Sequence, residues 1–127
     1  AYAAVISAFC DSIKKNKTAY IYGDGEQFRD FTYVANAVSA NILAATYKEK
    51  LCGEVFNVGC GTTCSVNNLA KMMGVKNIQY LDKRPGDVKC SMANIEKIEN
   101  VLGYKVLMTF SEGLSTTIYW YLKNKTE

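Results

Sequence analysis

YGDGEQFRDFTYV, residues 22–34, sets two glycines, three carboxylates and one arginine among four aromatic side chains. Gly23-Asp24-Gly25 forces a turn, because glycine enters left-handed backbone conformations at little cost and aspartate supports them by local hydrogen bonding. A short strand is expected before the turn, over residues 18–22. After it, residues 31–34 are β-prone. Val34, Ala37, Val38, Asn41, Ile42 and Ala45 then recur at helical spacing and mark one face of a helix that ends near Lys48. Arg29 therefore lies in a turn-rich connection between a strand and a helix. A second arginine shares that setting, in Arg84-Pro85-Gly86-Asp87, where the only proline of the chain fixes a loop. A guanidinium fork in a glycine-containing loop suits bidentate binding of diphosphate oxygens. Each arginine also has a carboxylate close in sequence, Asp30 and Asp87, so two exposed ion pairs are the alternative.

Outward from this segment, Val5, Ile6, Phe9 and Ile13 predict a helix over residues 3–16 whose last turn is rich in lysine. Residues 54–58 read as a buried strand closed by Gly59 and Gly61. Ser65 is an N-cap for a helix bearing Val66, Leu69, Ala70 and Met73 on one face, with Gly74 as its C-cap. Residues 77–81 read as a strand. Asn94 caps a helix with Ile95, Ile98, Val101 and Leu102, stopped by Gly103. Ser111 caps a last helix with Leu114, Ile118, Tyr121 and Leu122 facing inward. About five helices alternate with four short strands, which is the α/β class in a single domain without internal repeats.

Composition narrows the chemistry. The 127 residues are 49% hydrophobic and 21% charged, as in an ordinary globular domain. Histidine is absent, which excludes Ser-His-Asp and Cys-His catalysis, histidine-ligated zinc and a histidine pH switch. The net charge of +3 comes from interleaved charges, so no nucleic-acid partner is expected. Five cysteines, an odd number without a CxxC pair, fit reduced thiols in a cytoplasmic protein and no metal site. No apolar run approaches the ~18 residues of a membrane span. The chain opens at AYAAVI without an initiating methionine, which hints at a piece of a longer protein.

Two further motifs are weak. Gly59-Cys60-Gly61 follows the expected strand and precedes a helix, as phosphate-binding turns do, but Cys64 stands where the fingerprint needs its third glycine. Tyr119 with Lys123, and Tyr121 with Lys125, match the Tyr-x-x-x-Lys spacing that puts a phenol and an ammonium on one helix face. Both pairs read as packed aromatics beside solvated lysines.

AYAAVI (1–6), YGDGEQFRDFTYV (22–34), ANILAAT (40–46), EVFNVGCG (54–61), RPGDVKCSMANI (84–95), LGY (102–104) and EGL (112–114), in this order, resemble the C-terminal part of nucleotide-sugar epimerases and dehydratases. These are extended short-chain dehydrogenases/reductases with a Rossmann-type fold. The resemblance implies that residues 1–127 form the substrate-binding portion, and that an N-terminal domain absent from this chain holds NAD and the catalytic Tyr-Lys pair. It implies that Tyr20, Ile21 and Tyr22 flank the uracil of a UDP-sugar. Arg29 and Arg84 would clamp the diphosphate, and Asp87 would accept from the ribose hydroxyls. No catalytic or cofactor-binding residue is implied within the chain, which alone should be inactive.

Departures from the family pattern sharpen the expectation. Ser7 replaces a common proline, and Ala35-Asn36 replace two acidic residues, which is closer to UDP-N-acetylhexosamine 4-epimerases than to dehydratases. Ser91, four residues after Asp87, is small enough to leave space for an N-acetyl group. The expected activity is thus 4-epimerisation of UDP-GlcNAc and UDP-GalNAc, or of UDP-glucose and UDP-galactose, by a full-length homodimer. A dehydratase, or a non-catalytic nucleotide-binding or dimerisation module, is the alternative. Residues 34–46 and 54–58 would lean on the dinucleotide domain and leave apolar surface exposed without it.

Overall fold

The computed structural model describes residues 5–124, as five helices and five short strands. They divide into two compact units: residues 5–29, 64–91 and 115–124 make the first, and residues 30–63 and 92–114 the second.

In the first unit, α1 (Val5–Lys14) leads into β1 (Ala19–Tyr22) and then β2 (Phe28–Arg29). The chain returns as β3 (Cys64–Ser65), α3 (Val66–Met73), β4 (Ile78–Leu81) and β5 (Cys90–Ser91). β1 pairs in parallel with β4, Ala19 opposite Ile78 and Tyr22 opposite Leu81. The period-two alternation of a strand buries Ala19 and Ile21 and leaves Tyr20 exposed. β2 is central in the second sheet, antiparallel to β3 and parallel to β5. α1 packs on α3, burying Phe9 and Cys10 from one helix and Val66, Leu69, Ala70 and Met73 from the other. Both expected caps of α3 are present. The Ser65 hydroxyl accepts from the Asn68 amide at 3.1 Å, and Gly74 takes the left-handed conformation at φ +70°.

The second unit carries α2 (Val34–Thr46) and α4 (Glu96–Leu102), which pack on each other. Its core is Ala40, Ile98, Leu102 and Tyr104, flanked by Leu43, Ala44, Tyr47, Phe56 and Val58. Gly103 ends α4 in the left-handed conformation, as the sequence predicts, whereas the cap position at its start is Ile95, without a side-chain bond, and Asn94 Oδ1 accepts from the Glu96 amide at 3.0 Å from one residue further out. Asn36 is fully buried, and its amide satisfies itself on the 107–108 backbone. Its Oδ1 accepts from the Leu107 and Met108 amides and its Nδ2 donates to the Met108 carbonyl. A carboxylate at this position would lack the donor that reaches that carbonyl.

Five further expectations change. Residues 31–34 form no strand; Val34 opens α2, and the strand lies upstream at Phe28–Arg29. The predicted face of α2 is its outer face: Val34, Val38 and Ile42 are 64%, 51% and 57% exposed, while Asn36 and Ala40 are buried. Residues 54–58 form no strand, since no strand among the described residues pairs with them, and Val55 is 77% exposed. The last helix, α5 (Phe110–Asn124), is capped by Thr109, not Ser111. The Thr109 amide and hydroxyl both donate to the Glu112 carboxylate, a capping box that holds this carboxyl below its ordinary pKa. On α5, Leu114 and Tyr121 face inward as expected, but Leu122 is exposed. Among the described residues no helix is long and apolar enough to cross a membrane.

Candidate functional site

A cavity of about 710 Å³ opens in the first unit, and Tyr20, Ile21, Tyr22, Arg29, Arg84, Asp87 and Ser91 all line it. Every site residue expected from the sequence thus borders one space, together with Gln27 and Val66, which the sequence reading missed. The strands account for the convergence. β1 supplies the three residues before the glycine turn, and β2 and β5 run side by side with Arg29 directly opposite Ser91. The loop after β4 supplies Arg84 and Asp87. There the Asp87 amide donates to the Arg84 carbonyl at 3.2 Å, and Gly86 sits at φ +78°.

The two arginines are held by different devices. Arg29 Nη2 lies 2.6 Å from Asp87 Oδ1, both side chains about one-quarter exposed, while its Nη1 donates to the Phe28 carbonyl at 2.8 Å. The Arg84 guanidinium lies over the Tyr22 ring, 3.6 Å from the centroid, and no carboxylate among the described residues pairs with it. The local pairings considered from sequence, Arg29 with Asp30 and Arg84 with Asp87, do not form. Consecutive residues of extended backbone point to opposite sides, so Arg29 and Asp30 diverge.

The turn that presents Tyr22 is fixed by side chains from elsewhere. Gln27 Nε2 donates to the Tyr22 carbonyl at 2.9 Å. Asn67 Nδ2 donates to the Asp24 carbonyl at 2.9 Å and to Glu26 Oε1 at 2.6 Å, and the Asn67 amide donates to the Gly25 carbonyl. Gly25, at φ +75°, leaves no space for a Cβ beside the Asn67 carboxamide. No local pattern announces this role for Asn67, which lies in the first turn of α3.

The Gly59-Cys60-Gly61 turn is not a phosphate cradle. Its amides already hold an anion, the Asp30 carboxylate, which accepts from Cys60 at 2.9 Å, Gly61 at 3.0 Å and Ala93 at 3.3 Å. The next element along the chain is β3, not the helix that a phosphate-binding turn leads into. Burial and then the Asp30 charge push the Cys60 thiol above its ordinary pKa, and burial likewise raises Cys64. Of the two tyrosines expected to pack, only Tyr121 is buried, and its hydroxyl donates to Asp11 at 2.7 Å; Tyr119 is 61% exposed, with Lys123 Nζ 4.5 Å from its ring centroid. Lys125 lies outside the described residues. These residues do not fit a dinucleotide, and among the described residues no three His, Cys, Asp or Glu side chains gather to hold a metal ion.

Comparison with known proteins places this geometry in context. Residues 1–59 match the model of the NAD dependent epimerase/dehydratase family. A UDP-glucose 4-epimerase of Thermotoga maritima, solved with UDP-glucose, superposes with a TM-score of 0.88 at 34% identity over 97% of this chain. A UDP-N-acetylglucosamine 4-epimerase of Methanobrevibacter ruminantium, in complex with UDP-N-acetylmuramic acid, gives 0.85 at 36% identity over 98%. The dTDP-D-glucose 4,6-dehydratase of Mus musculus is 33% identical over 94% of the chain. The chain spans 40%, 41% and 36% of these proteins respectively.

Proposed function

This chain belongs to the NAD dependent epimerase/dehydratase family, and from that premise we propose that it forms the UDP-sugar-binding portion of an NAD-dependent UDP-sugar 4-epimerase. The proposed substrates are UDP-GlcNAc and UDP-GalNAc, with UDP-glucose and UDP-galactose as the second pair. One observation carries the reading: two guanidinium groups and one carboxylate converge on a cavity of about 710 Å³, inside the roughly 300–1,000 Å³ of small-molecule sites. Arg29 and Arg84 supply positive charge for a diphosphate, Asp87 an acceptor for ribose hydroxyls, and the backbone of the Tyr20–Tyr22 strand a wall for the base. Ser91, one strand away from Arg29 in register, borders the sugar end and leaves room for a C2 substituent.

In this reading the chain binds and orients the substrate, and a separate N-terminal domain holds NAD. Two observations favour that division. Asp30 fills the one glycine turn of the chain that resembles a dinucleotide cradle. The exposed Val34, Val38 and Ile42 row of α2 is an apolar stripe suited to lie against another domain. The experiment is incubation of the complete protein carrying this chain with UDP-GlcNAc and NAD, followed by separation of the nucleotide sugars. UDP-GalNAc is the expected product. Release of water with a keto sugar would reassign the protein as a dehydratase, the activity named for the mouse relative. UDP binding without turnover of any UDP-hexose would leave a nucleotide-binding module.

A further inference from the structure

Arg84 sits in an exposed loop, where an arginine side chain ordinarily samples many rotamers and loses that freedom on binding. Here its guanidinium lies 3.6 Å from the centroid of the Tyr22 ring, close enough for strong cation–π attraction. Tyr22 is itself fixed. Its carbonyl accepts from Gln27 Nε2, its strand pairs with β4 at Leu81, and the next residue, Gly23, donates to the Leu81 carbonyl at 2.9 Å. The Tyr22 hydroxyl makes no hydrogen bond among the described residues, so the ring face is what this side chain offers to the protein.

We infer that Tyr22 is a positioning residue that acts through Arg84: its ring stores the guanidinium at the edge of the cavity, ready for a diphosphate. The inference rests on the diphosphate reading of the site and assigns the ring a task other than contact with the base. Arg29 needs no such support, since Asp87 holds it. The two arginines of the site are thus preorganised by unlike partners, a carboxylate for one and an aromatic face for the other.

The test is calorimetry of UDP and of uridine with the complete protein carrying this chain. Tyr22→Leu should weaken UDP ~3–10-fold, the range of a partly exposed cation–π contact, and leave uridine unchanged. Tyr22→Phe should behave as the parent. Pentafluorophenylalanine in place of Tyr22, which keeps the ring shape but withdraws charge from its face, should reproduce the leucine effect without a packing defect. In an Arg84→Ala background all three replacements should have no effect on UDP. Equal losses for UDP and uridine, or an undiminished loss in the Arg84→Ala background, would overturn the inference while leaving the diphosphate reading intact. Unchanged UDP affinity of Arg84→Ala itself would remove Arg84 from the diphosphate site, and the inference with it.

Discussion

Arg29 and Asp87, fifty-eight positions apart in sequence, meet at 2.6 Å across the wall of the cavity. The ion pair joins β2 to the loop after β4, so a group proposed to bind phosphate and a group proposed to bind ribose hold each other in place before any ligand arrives. Each has oxygen- or nitrogen-bonding capacity left, since a guanidinium carries five donors and a carboxylate about four acceptor sites.

Replacing either arginine by alanine is expected to weaken UDP binding by ~1.5–3 kcal/mol, the worth of a charge-assisted hydrogen bond to phosphate. Titration calorimetry on the complete protein measures it. Unchanged affinity in both variants would remove the diphosphate assignment.

Ser91→Tyr adds a ring at the proposed sugar end, and overfilling a packed pocket costs ~1–3 kcal/mol. The expected outcome is a tenfold or greater fall in kcat/KM for UDP-GlcNAc with most activity retained for UDP-glucose. Equal retention of both would put Ser91 outside the substrate's reach.

Asp30→Ala strips the acceptor from three backbone amides, Cys60, Gly61 and Ala93. Leaving part-buried donors unsatisfied costs ~1–3 kcal/mol each in the worst case, and water will recover some of it. A fall of at least ~1.5 kcal/mol in unfolding free energy is expected from urea denaturation. A midpoint equal to the parent's would show that the loop does not depend on the carboxylate.

Gly25→Ala meets both a left-handed backbone and the Asn67 carboxamide. Strain of this kind costs ~1–3 kcal/mol. Asn67→Ala loses its own bonds to Asp24, Glu26 and Tyr80, so the comparison is within that background, where Gly25→Ala should cost less than in the parent chain but still lower the melting temperature, because the backbone conformation is still unfavourable. No loss from Gly25→Ala in the Asn67→Ala background would count against the strain.

Cys52 and Cys90 are exposed, whereas Cys10, Cys60 and Cys64 are buried. A maleimide at neutral pH should therefore label two thiols quickly and the other three only on denaturation. The folded chain also keeps protons on Cys60 and Cys64 that the unfolded chain gives up, because burial raises both thiols. Stability should fall as pH rises through the ordinary thiol range, and the slope should shrink in Cys60→Ala. A flat stability profile through that range would contradict the burial of these groups.

Some of this was legible in the sequence and some was not, for physical reasons. Helix ends declare themselves locally, since Ser65, Gly74, Asn94 and Gly103 each satisfy or terminate a backbone within a few residues. Periodicity located α2 but misplaced its inner side, because it shows that a row of apolar residues exists without showing what covers it. The row with Val34, Val38 and Ile42 is the more apolar, yet the core takes Asn36 and Ala40. Residues 54–58 have a strand's composition and lack only a partner strand, which composition cannot supply. The seven residues expected at the site come from family motifs, and all seven line one cavity. What joins them was out of reach: Asp87 with Arg29, Tyr22 beneath Arg84 and Asn67 under the glycine turn are contacts between distant segments.

Asp30, one residue beyond Arg29, turns the other way into a nest of amides. The frame of the chain at this point consequently assigns two opposite charges to two different duties. Loss of a single residue between Gln27 and Arg29 would move the Asp30 carboxylate to where diphosphate is proposed to bind and bring Phe31 to the three N–H groups, which would then have no acceptor. Substitutions at either position damage one duty at a time, but a one-residue slip damages both. Length, more than identity, is what this short stretch cannot give up.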